Sequence, residues 1–460
     1  MNQGEKFSKT KKILIGAIDI ALFHFSILLS FYLQFGQNIP ERNLSTYTSA
    51  VIYIMVPFII LNLLFGAYVL YNKSLTDFIY LTIIIQILMT IAIMAVTFAG
   101  RWFAFPRSVL VISLFTSSLV LIIWRIIIFK VYLRYSGTKK VMVVGNEMKV
   151  ASTIFNFDQA KNGRHKITLV AVDNFYKNIK ENMNAFDIVY LASQIKEEEK
   201  IAIYDLMIKY DKKIFLTTSF ENLILVNPNI MNIEDESIIE ASNFRISDED
   251  SFIKRITDIL FSLLLIILSS PLMIITAILV KTTSKGPIFY KQVRITKDSA
   301  EFNVLKFRSM SATAESDTGP VLAASNDTRV TTVGKYIRAL RIDELPQLFN
   351  VIKGDMSVVG PRPERPFFVN QFQKENKYYY LRHNVRAGIT GYAQVYGKYA
   401  TDFNSKLNFD LLYIKKYSIL LDIKIMLQTI KILFDKVSSQ GLEEQQNGNK
   451  KIPENVTVLK

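Results

Sequence analysis

Two adjacent carboxylates stand where a helix should begin. In Arg341-Ile342-Asp343-Glu344-Leu345-Pro346-Gln347-Leu348-Phe349-Asn350, Leu345, Leu348, Phe349 and the following Ile352 recur at helical spacing, and Pro346 is tolerated only in a first turn. Asp343 and Glu344 are therefore expected at a helix N-terminus. Unpaired amides and the helix dipole favour an anion there and keep Asp343 ionised, the arrangement a carboxylate nucleophile for phosphorus needs. Glu344 would bind Mg²⁺ beside it, and an ordinary N-capping aspartate is the competing account. Cations come from two further stretches. Glu301 to Met310 reads as a strand, so Lys306 and Arg308 project from one face, which suits a diphosphate unless that face is merely solvated. Arg362 lies between Pro361 and Pro363, which fix its backbone and let its guanidinium be aimed at a phosphate; a structural turn is the alternative. Arg341, at the head of the decapeptide, joins Lys306, Arg308 and Arg362 as a candidate substrate-binding residue.

The elements that must position these groups belong to a membrane protein. Half of the 460 residues are hydrophobic, and mean hydropathy is positive. Four apolar stretches, Ile13–Phe35, Ala50–Tyr71, Phe78–Ala99 and Val109–Lys130, are each long enough to cross a bilayer as a helix. The first follows Lys6, Lys9, Lys11 and Lys12 and is too long for a signal-peptide core, so it reads as a retained anchor. These lysines, with Lys130, Arg134, Lys139 and Lys140 after the fourth stretch, put both ends on the cytoplasmic side, although Arg42, Arg101 and Arg107 lie in the opposite loops. Arg125 within the fourth run is expected to snorkel toward the interface. There is no cysteine, and His24, His165 and His383 are the only histidines, which excludes thiolate chemistry and disulfides and argues against a histidine metal cluster. The net charge of +15 suits anionic lipid and phosphorylated ligands, and the membrane signal decides against nucleic acid.

Four parts follow: residues 1–135, a four-helix transmembrane domain; 136–245, a Rossmann-like α/β domain; 246–437, a re-entrant helix with an α/β, mostly helical domain; and 438–460, a disordered tail. In the second part, strands are expected at Val141–Val144, Ile167–Val172, Ile188–Ala192 and Lys213–Thr217. Only Gly145 follows the first strand, so dinucleotide binding is poorly supported, and the Tyr176/Lys180 spacing is treated as coincidence. The fifth apolar run, Ile259–Val280, is interrupted by Ser269-Ser270-Pro271. Pro271 cannot donate to the Ile267 carbonyl, so a kink is expected there, with a serine hydroxyl available to the freed acceptor. Basic residues flank both ends of the run, as suits a hairpin that dips into one leaflet and returns. The last helix should carry Ile423, Leu427, Ile430, Leu433, Phe434 and Val437 on one face, with Lys424, Lys431 and Lys436 away from it, to lie on the membrane or pack on the domain.

The stretch from about Phe252 to Phe434 resembles the bacterial sugar transferase family, the monotopic phosphoglycosyl transferases. The resemblance rests on Lys254-Arg255 with Asp258, Ser270-Pro271, Gly286-Pro287-Ile288-Phe289-Tyr290, Lys306-Phe307-Arg308-Ser309-Met310, Asp343-Glu344-Leu345-Pro346-Gln347, Gly354-Asp355-Met356-Ser357, Gly360-Pro361-Arg362-Pro363 and Gly388-Ile389-Thr390-Gly391. Four spans followed by an α/β module make the chain similar to the large members, which begin capsule or exopolysaccharide assembly. One departure is local: Val293-Arg294-Ile295-Thr296 stands where the family usually has Glu-Arg-Ile-Gly. The resemblance implies transfer of a sugar-1-phosphate, a hexose-1-phosphate in the commonest case, from a UDP-sugar to polyprenyl (undecaprenyl) phosphate. It also implies Asp343 as nucleophile, Mg²⁺ near Asp343 and Glu344, and anchoring by the Ser270-Pro271 break in the cytoplasmic membrane of a bacterium. Expected partners are the UDP-sugar, the lipid phosphate, membrane lipids and, in a homo-oligomer, a second copy of the chain. The rivals are a membrane nucleotide-sugar dehydratase or epimerase, which needs an intact glycine loop and NAD, and a non-catalytic scaffold of polysaccharide export.

Overall fold

The apolar runs of the first third form four long helices, α1 (Lys9–Phe35), α2 (Glu41–Leu64), α3 (Leu75–Ala99) and α4 (Arg107–Ser136). The structure is a computed structural model that describes residues 9–70, 74–158, 164–241, 243–310, 329–397, 402–433, 452–453 and 456–459. Lys6, Tyr71, Phe434, Lys436 and Val437, which figure in the sequence expectations, lie outside the described residues. By contacts the chain divides into two units, residues 1–217 with 447–460 and residues 218–446.

In the first unit all four helices are long and apolar enough to cross a membrane. α2 begins earlier than expected: Pro40 is its N-cap, so Glu41 to Ser49 are helical, and Gly66 in a left-handed turn follows its end. The helices pack on one another through apolar and polar contacts. Phe23 stacks on Phe58, Ser30 Oγ meets Thr116 Oγ1 at 2.8 Å, and Ser117 Oγ donates to Gln86 Oε1 at 2.9 Å. Arg125 does not snorkel. It is buried, 2.5 Å from the buried Asp19 carboxylate, and also donates to Asn62 Oδ1, while Trp124 Nε1 donates to Asp19 Oδ1. An interior carboxylate on α1 makes burial of the guanidinium cheaper than a reach to the interface.

β1 (Lys139–Val144), α5 (Glu147–Asp158), β2 (His165–Ala171), α6 (Phe175–Glu181), β3 (Ile188–Leu191), α7 (Glu197–Lys209) and β4 (Lys213–Leu216) then alternate. The four strands pair in parallel, and a distant segment, β11 (Thr457–Leu459), adds to β2 to give the order β11-β2-β1-β3-β4. Val141 and Val143 face one layer of apolar side chains and Met142 and Val144 the other, as expected of a parallel sheet covered on both faces. β11 corrects the expectation of a disordered tail for the last described residues: Val456 and Leu459 pack with the sheet's apolar side chains. Residues 438–451, 454–455 and 460 of that expectation lie outside the described residues. Gly145 (φ +154°) leaves no room for a side chain, since an added Cβ would stand 2.6 Å from Ser193 Oγ.

The second unit opens with α8 (Phe220–Ile224) and a hairpin, β5 (Asn229–Ile233) and β6 (Glu236–Glu240). α9 (Asp248–Thr283) is a single 36-residue helix with Pro271 inside, the fifth helix able to cross a membrane by length and composition. The acceptor freed by Pro271 is satisfied as expected, because Ser270 Oγ donates to Ile267 O at 2.9 Å. β7 (Phe289–Ile295) pairs antiparallel with β8 (Glu301–Phe307); α10 (Thr332–Ala339), α11 (Gln347–Lys353), β9 (Met356–Val359), α12 (Pro366–Glu375), β10 (Ala387–Thr390), α13 (Tyr392–Tyr396), α14 (Phe403–Lys415) and α15 (Ile419–Leu433) follow. β9 and β10 pair in parallel at the centre of a core that includes Val351, Met356, Leu411, Tyr413 and Ile425. Both ends of α9 are tied to the rest of this unit. Lys254 Nζ bonds Asp422 at 2.6 Å, Asp258 accepts from Val358 N, and Arg255 caps the carbonyls of Val351 and Ile352; farther along, Met273 and Val280 pack on Phe307 and Ile337. α15 turns Asp422, Ile425 and Thr429 into the domain, Asp422 drawn to Lys254 and Tyr413 and Thr429 to Thr390, while Ile423, Leu427 and Ile430 of the expected apolar face are half-buried.

Candidate active site

Asp343 is held by a break between two helices. α10 ends, Arg341 adopts a left-handed backbone (φ +54°) that a non-glycine residue takes at a cost, and Ile342–Glu344 form one 3₁₀ turn before Pro346 caps α11. Ile342 and Leu345 pack beside Val280, Phe307 and Ile337, so α9 and the end of β8 clamp the turn from below. Only 9% of Asp343 is exposed. Of the expected apolar face of α11, Leu348 is buried and Phe349 is exposed; Val351, outside that face, is fully buried.

β8 is brought alongside by Asn350. Its Oδ1 accepts from Leu305 N, and its Nδ2 donates to Asn303 O and Asp355 Oδ2. That register delivers Lys306, whose Nζ lies 2.9 Å from Glu344 Oε1. Arg341 Nη1 stands 3.8 Å from Glu344 Oε2 and Arg362 Nη2 stands 3.9 Å from Oε1. Three of the four expected cations thus converge on one carboxylate. Arg308 does not follow Lys306: the strand stops at Phe307, and Arg308 turns to the end of α9, where its Nη2 donates to the carbonyl and hydroxyl of Ser284 at 2.7 Å. Its Nε and Nη1 are buried without a hydrogen bond among the described residues.

Sequence reasoning missed Arg338. It lies five residues before Asp343 in the last turn of α10, its Nη1 is buried without a hydrogen-bond partner among the described residues, and its charge acts on Asp343. Recurrence of cations along α10 toward the carboxylate pair was the available signal.

The environment pulls the two carboxylates apart. Burial, and then the charge of Glu344, raise Asp343 from an ordinary 3.8 to about 6, with Lys306 and Arg338 pulling the other way. Burial also opposes ionisation of Glu344, but Lys306, Arg362 and Arg341 outweigh it and hold that carboxyl below its usual range. Glu344 is an ionised hub for cations; Asp343 is a buried carboxylate with a raised proton affinity at the edge of the same cluster. Different environments assign the neighbours different roles.

The family description "Bacterial sugar transferase" matches residues 249–436, which contain this whole constellation. Identity is 35% over 192 residues with the uncharacterized sugar transferase EpsL of Bacillus subtilis (strain 168), covering 42% of this chain and 91% of that one. The chain belongs to the bacterial sugar transferase family.

Longer relatives match over a stretch of similar length. The UDP-N-acetylgalactosamine-undecaprenyl-phosphate N-acetylgalactosaminephosphotransferase of Aeromonas hydrophila is 50% identical over 186 residues, 40% of this chain and 44% of its own length. The UDP-glucose:undecaprenyl-phosphate glucose-1-phosphate transferase of Klebsiella pneumoniae is 47% identical over 182 residues, 38% and 39% of the two chains. The chain thus spans less than half the length of these two relatives.

The donor set is compatible with Mg²⁺, the ion the family implies. Among the described residues no group of three or more carboxylates or histidines gathers, but Mg²⁺ commonly takes one or two carboxylates and completes its shell with water and substrate phosphates. Asp343 and Glu344 would be such a pair.

Proposed function

We propose that this sugar transferase moves a sugar-1-phosphate, of the hexose type, from a UDP-sugar to undecaprenyl phosphate as the first membrane step of capsule or exopolysaccharide synthesis. The observation that carries the reading is the split between the two carboxylates: Glu344 gathers cations, and Asp343 keeps a carboxyl of raised basicity next to them. An oxygen of Asp343 attacks the β-phosphorus, the bond from that phosphorus to the bridging oxygen breaks, and UMP leaves with the electron pair. An oxygen of the lipid phosphate then attacks the same phosphorus and frees the carboxylate. Lys306, Arg341 and Arg362 offset the diphosphate charge, and Arg338 faces the phosphoryl group on Asp343, since phosphoryl transfer depends chiefly on positioning and electrostatics. Mg²⁺, held by Asp343 and Glu344, would supply further charge on the phosphate oxygens.

We also read α1–α4 as a four-helix transmembrane bundle, the parallel sheet as Rossmann-like and α9 as re-entrant, with the catalytic unit at the cytoplasmic face of the bacterial inner membrane. Attachment of both α9 ends to the same domain supports re-entry: Asp258 on one side of Pro271 and Val280 on the other both touch its core region. The exposed residues between them, Leu260, Leu264, Ile267 and Leu268, form the apolar apex. Names of the relatives supply the substrate classes to try. Incubation with a UDP-sugar labelled in the β-phosphate should leave label on the protein when lipid phosphate is withheld, and Asp343→Asn should remove it. Equal labelling of the Asn variant refutes the assignment.

A further inference from the structure

Pro361 and Pro363 deprive the Arg362 loop of two of its own N–H groups, yet the loop is not loose. Its four consecutive carbonyls are each caught by a donor from outside. Pro361 O accepts from Gly388 N at 2.9 Å, Arg362 O from Arg382 Nη2 at 2.9 Å, Pro363 O from Arg294 Nη1 at 3.0 Å, and Glu364 O from Ile295 N at 3.0 Å. Two of the four donors are guanidinium groups, and each is itself fixed. Arg382 is buried, with Nε 2.9 Å from Asp410 Oδ2 and Nη1 2.7 Å from the Tyr379 hydroxyl. Arg294 donates from Nε and Nη2 to Gln292 Oε1, whose Nε2 donates to Tyr290 OH.

The strand register gives this arrangement its meaning. Tyr290, Gln292 and Arg294 alternate along one face of β7, and Tyr290 is paired directly with Lys306 on β8. The strand pair that presents Lys306 to Glu344 therefore also reaches, through Arg294, the backbone that presents Arg362 to the same carboxylate oxygen. A short rigid path sets the spacing of the two cations.

We propose that Arg294 and Arg382 are positioning residues, which grip two successive carbonyls of the Arg362 loop so that its guanidinium is set for the donor diphosphate before the donor arrives. This rests on the reading of Arg362 as a diphosphate-binding residue. Preorganisation lowers the ordering cost of binding, so the effect belongs in donor affinity.

A double-mutant cycle on the full-length protein in detergent or nanodiscs tests it, with the donor KM for UDP-glucose or UDP-N-acetylgalactosamine, whichever is turned over, as the readout. Arg294→Gln should raise donor KM about tenfold, the scale of one ordered hydrogen bond from a charged group, and leave kcat within about threefold. In an Arg362→Ala background the same change should alter KM by less than about twofold, because there is no guanidinium left to place. Gln292→Leu, which removes the acceptor that orients Arg294, should follow the same pattern and serves if Arg294→Gln folds poorly. Equal losses in both backgrounds would overturn the grip while leaving Arg362 a donor-binding residue. An unchanged KM in Arg362→Ala alone would overturn the reading of Arg362 and the grip with it.

Discussion

Asp343→Asn should inactivate the protein and, at neutral pH, make it more stable. Asparagine has nearly the shape of the aspartate but carries no charge to bury. In the fold the carboxyl titrates at about 6 against an ordinary 3.8, so the folded state holds its proton more tightly than the unfolded chain does. The sign is therefore opposite to that of a salt-bridged aspartate. Below 3.8 both states are protonated and the site costs nothing; as pH rises, the unfolded chain gains from ionisation first, and the penalty is complete above about 6. A gap of about two pH units corresponds to roughly 3 kcal/mol at ~1.4 kcal/mol per unit, a ceiling because the proton is shared with Glu344's field. Thermal melts of wild type and Asp343→Asn, followed by circular dichroism at pH 7.5 and pH 4, read the difference. The variant should melt higher at pH 7.5, and most of the gap should be gone at pH 4. A variant that melts lower at pH 7.5, or a gap that persists unchanged on acidification, refutes the argument that burial strains this carboxylate.

The same titration should appear in the chemistry. UMP release in a single turnover without lipid phosphate should fall about tenfold per pH unit below about 6, and Lys306→Met, which removes a charge that favours the carboxylate, should move that limb to higher pH; a limb that stays put separates Lys306 from Asp343. In the first unit, Asp19→Leu or Arg125→Met alone should destabilise by about 3–5 kcal/mol by stranding a buried charge, whereas the double variant should recover most of the loss, as judged by thermal melting in nanodiscs. Additive losses would show that the pair does not act as a unit.

Local rules carried the sequence reading a long way. Pro271 and Ser270 are one residue apart, so the fate of the Ile267 carbonyl was legible from a tripeptide, and the four parallel strands were legible from their short apolar runs. The carboxylate pair was legible because Pro346 marks a helix start. What failed was partnership across long stretches of chain. Arg125 looked like a snorkelling cation because nothing near it in sequence announces Asp19, and Arg308 looked like a twin of Lys306 because the end of the strand at Phe307 depends on where α9 finishes. Arg338 is a plain surface cation until the left-handed turn at Arg341 swings Asp343 back beneath it. Which face of α15 turns inward was left open, because hydrophobic periodicity cannot see that Asp422 is wanted inside by Lys254.

β11 has a consequence for the order in which the sheet of the first unit can form during synthesis. Leu169 finds Thr457 as its neighbour, and everything in the second unit is synthesised between them. Until Thr457–Leu459 emerge, β2 presents a bare edge with unsatisfied backbone donors and acceptors, the kind of edge that recruits foreign strands. A nascent chain stalled shortly before residue 456 would have the whole second unit translated while the sheet of the first was still open to the wrong partner.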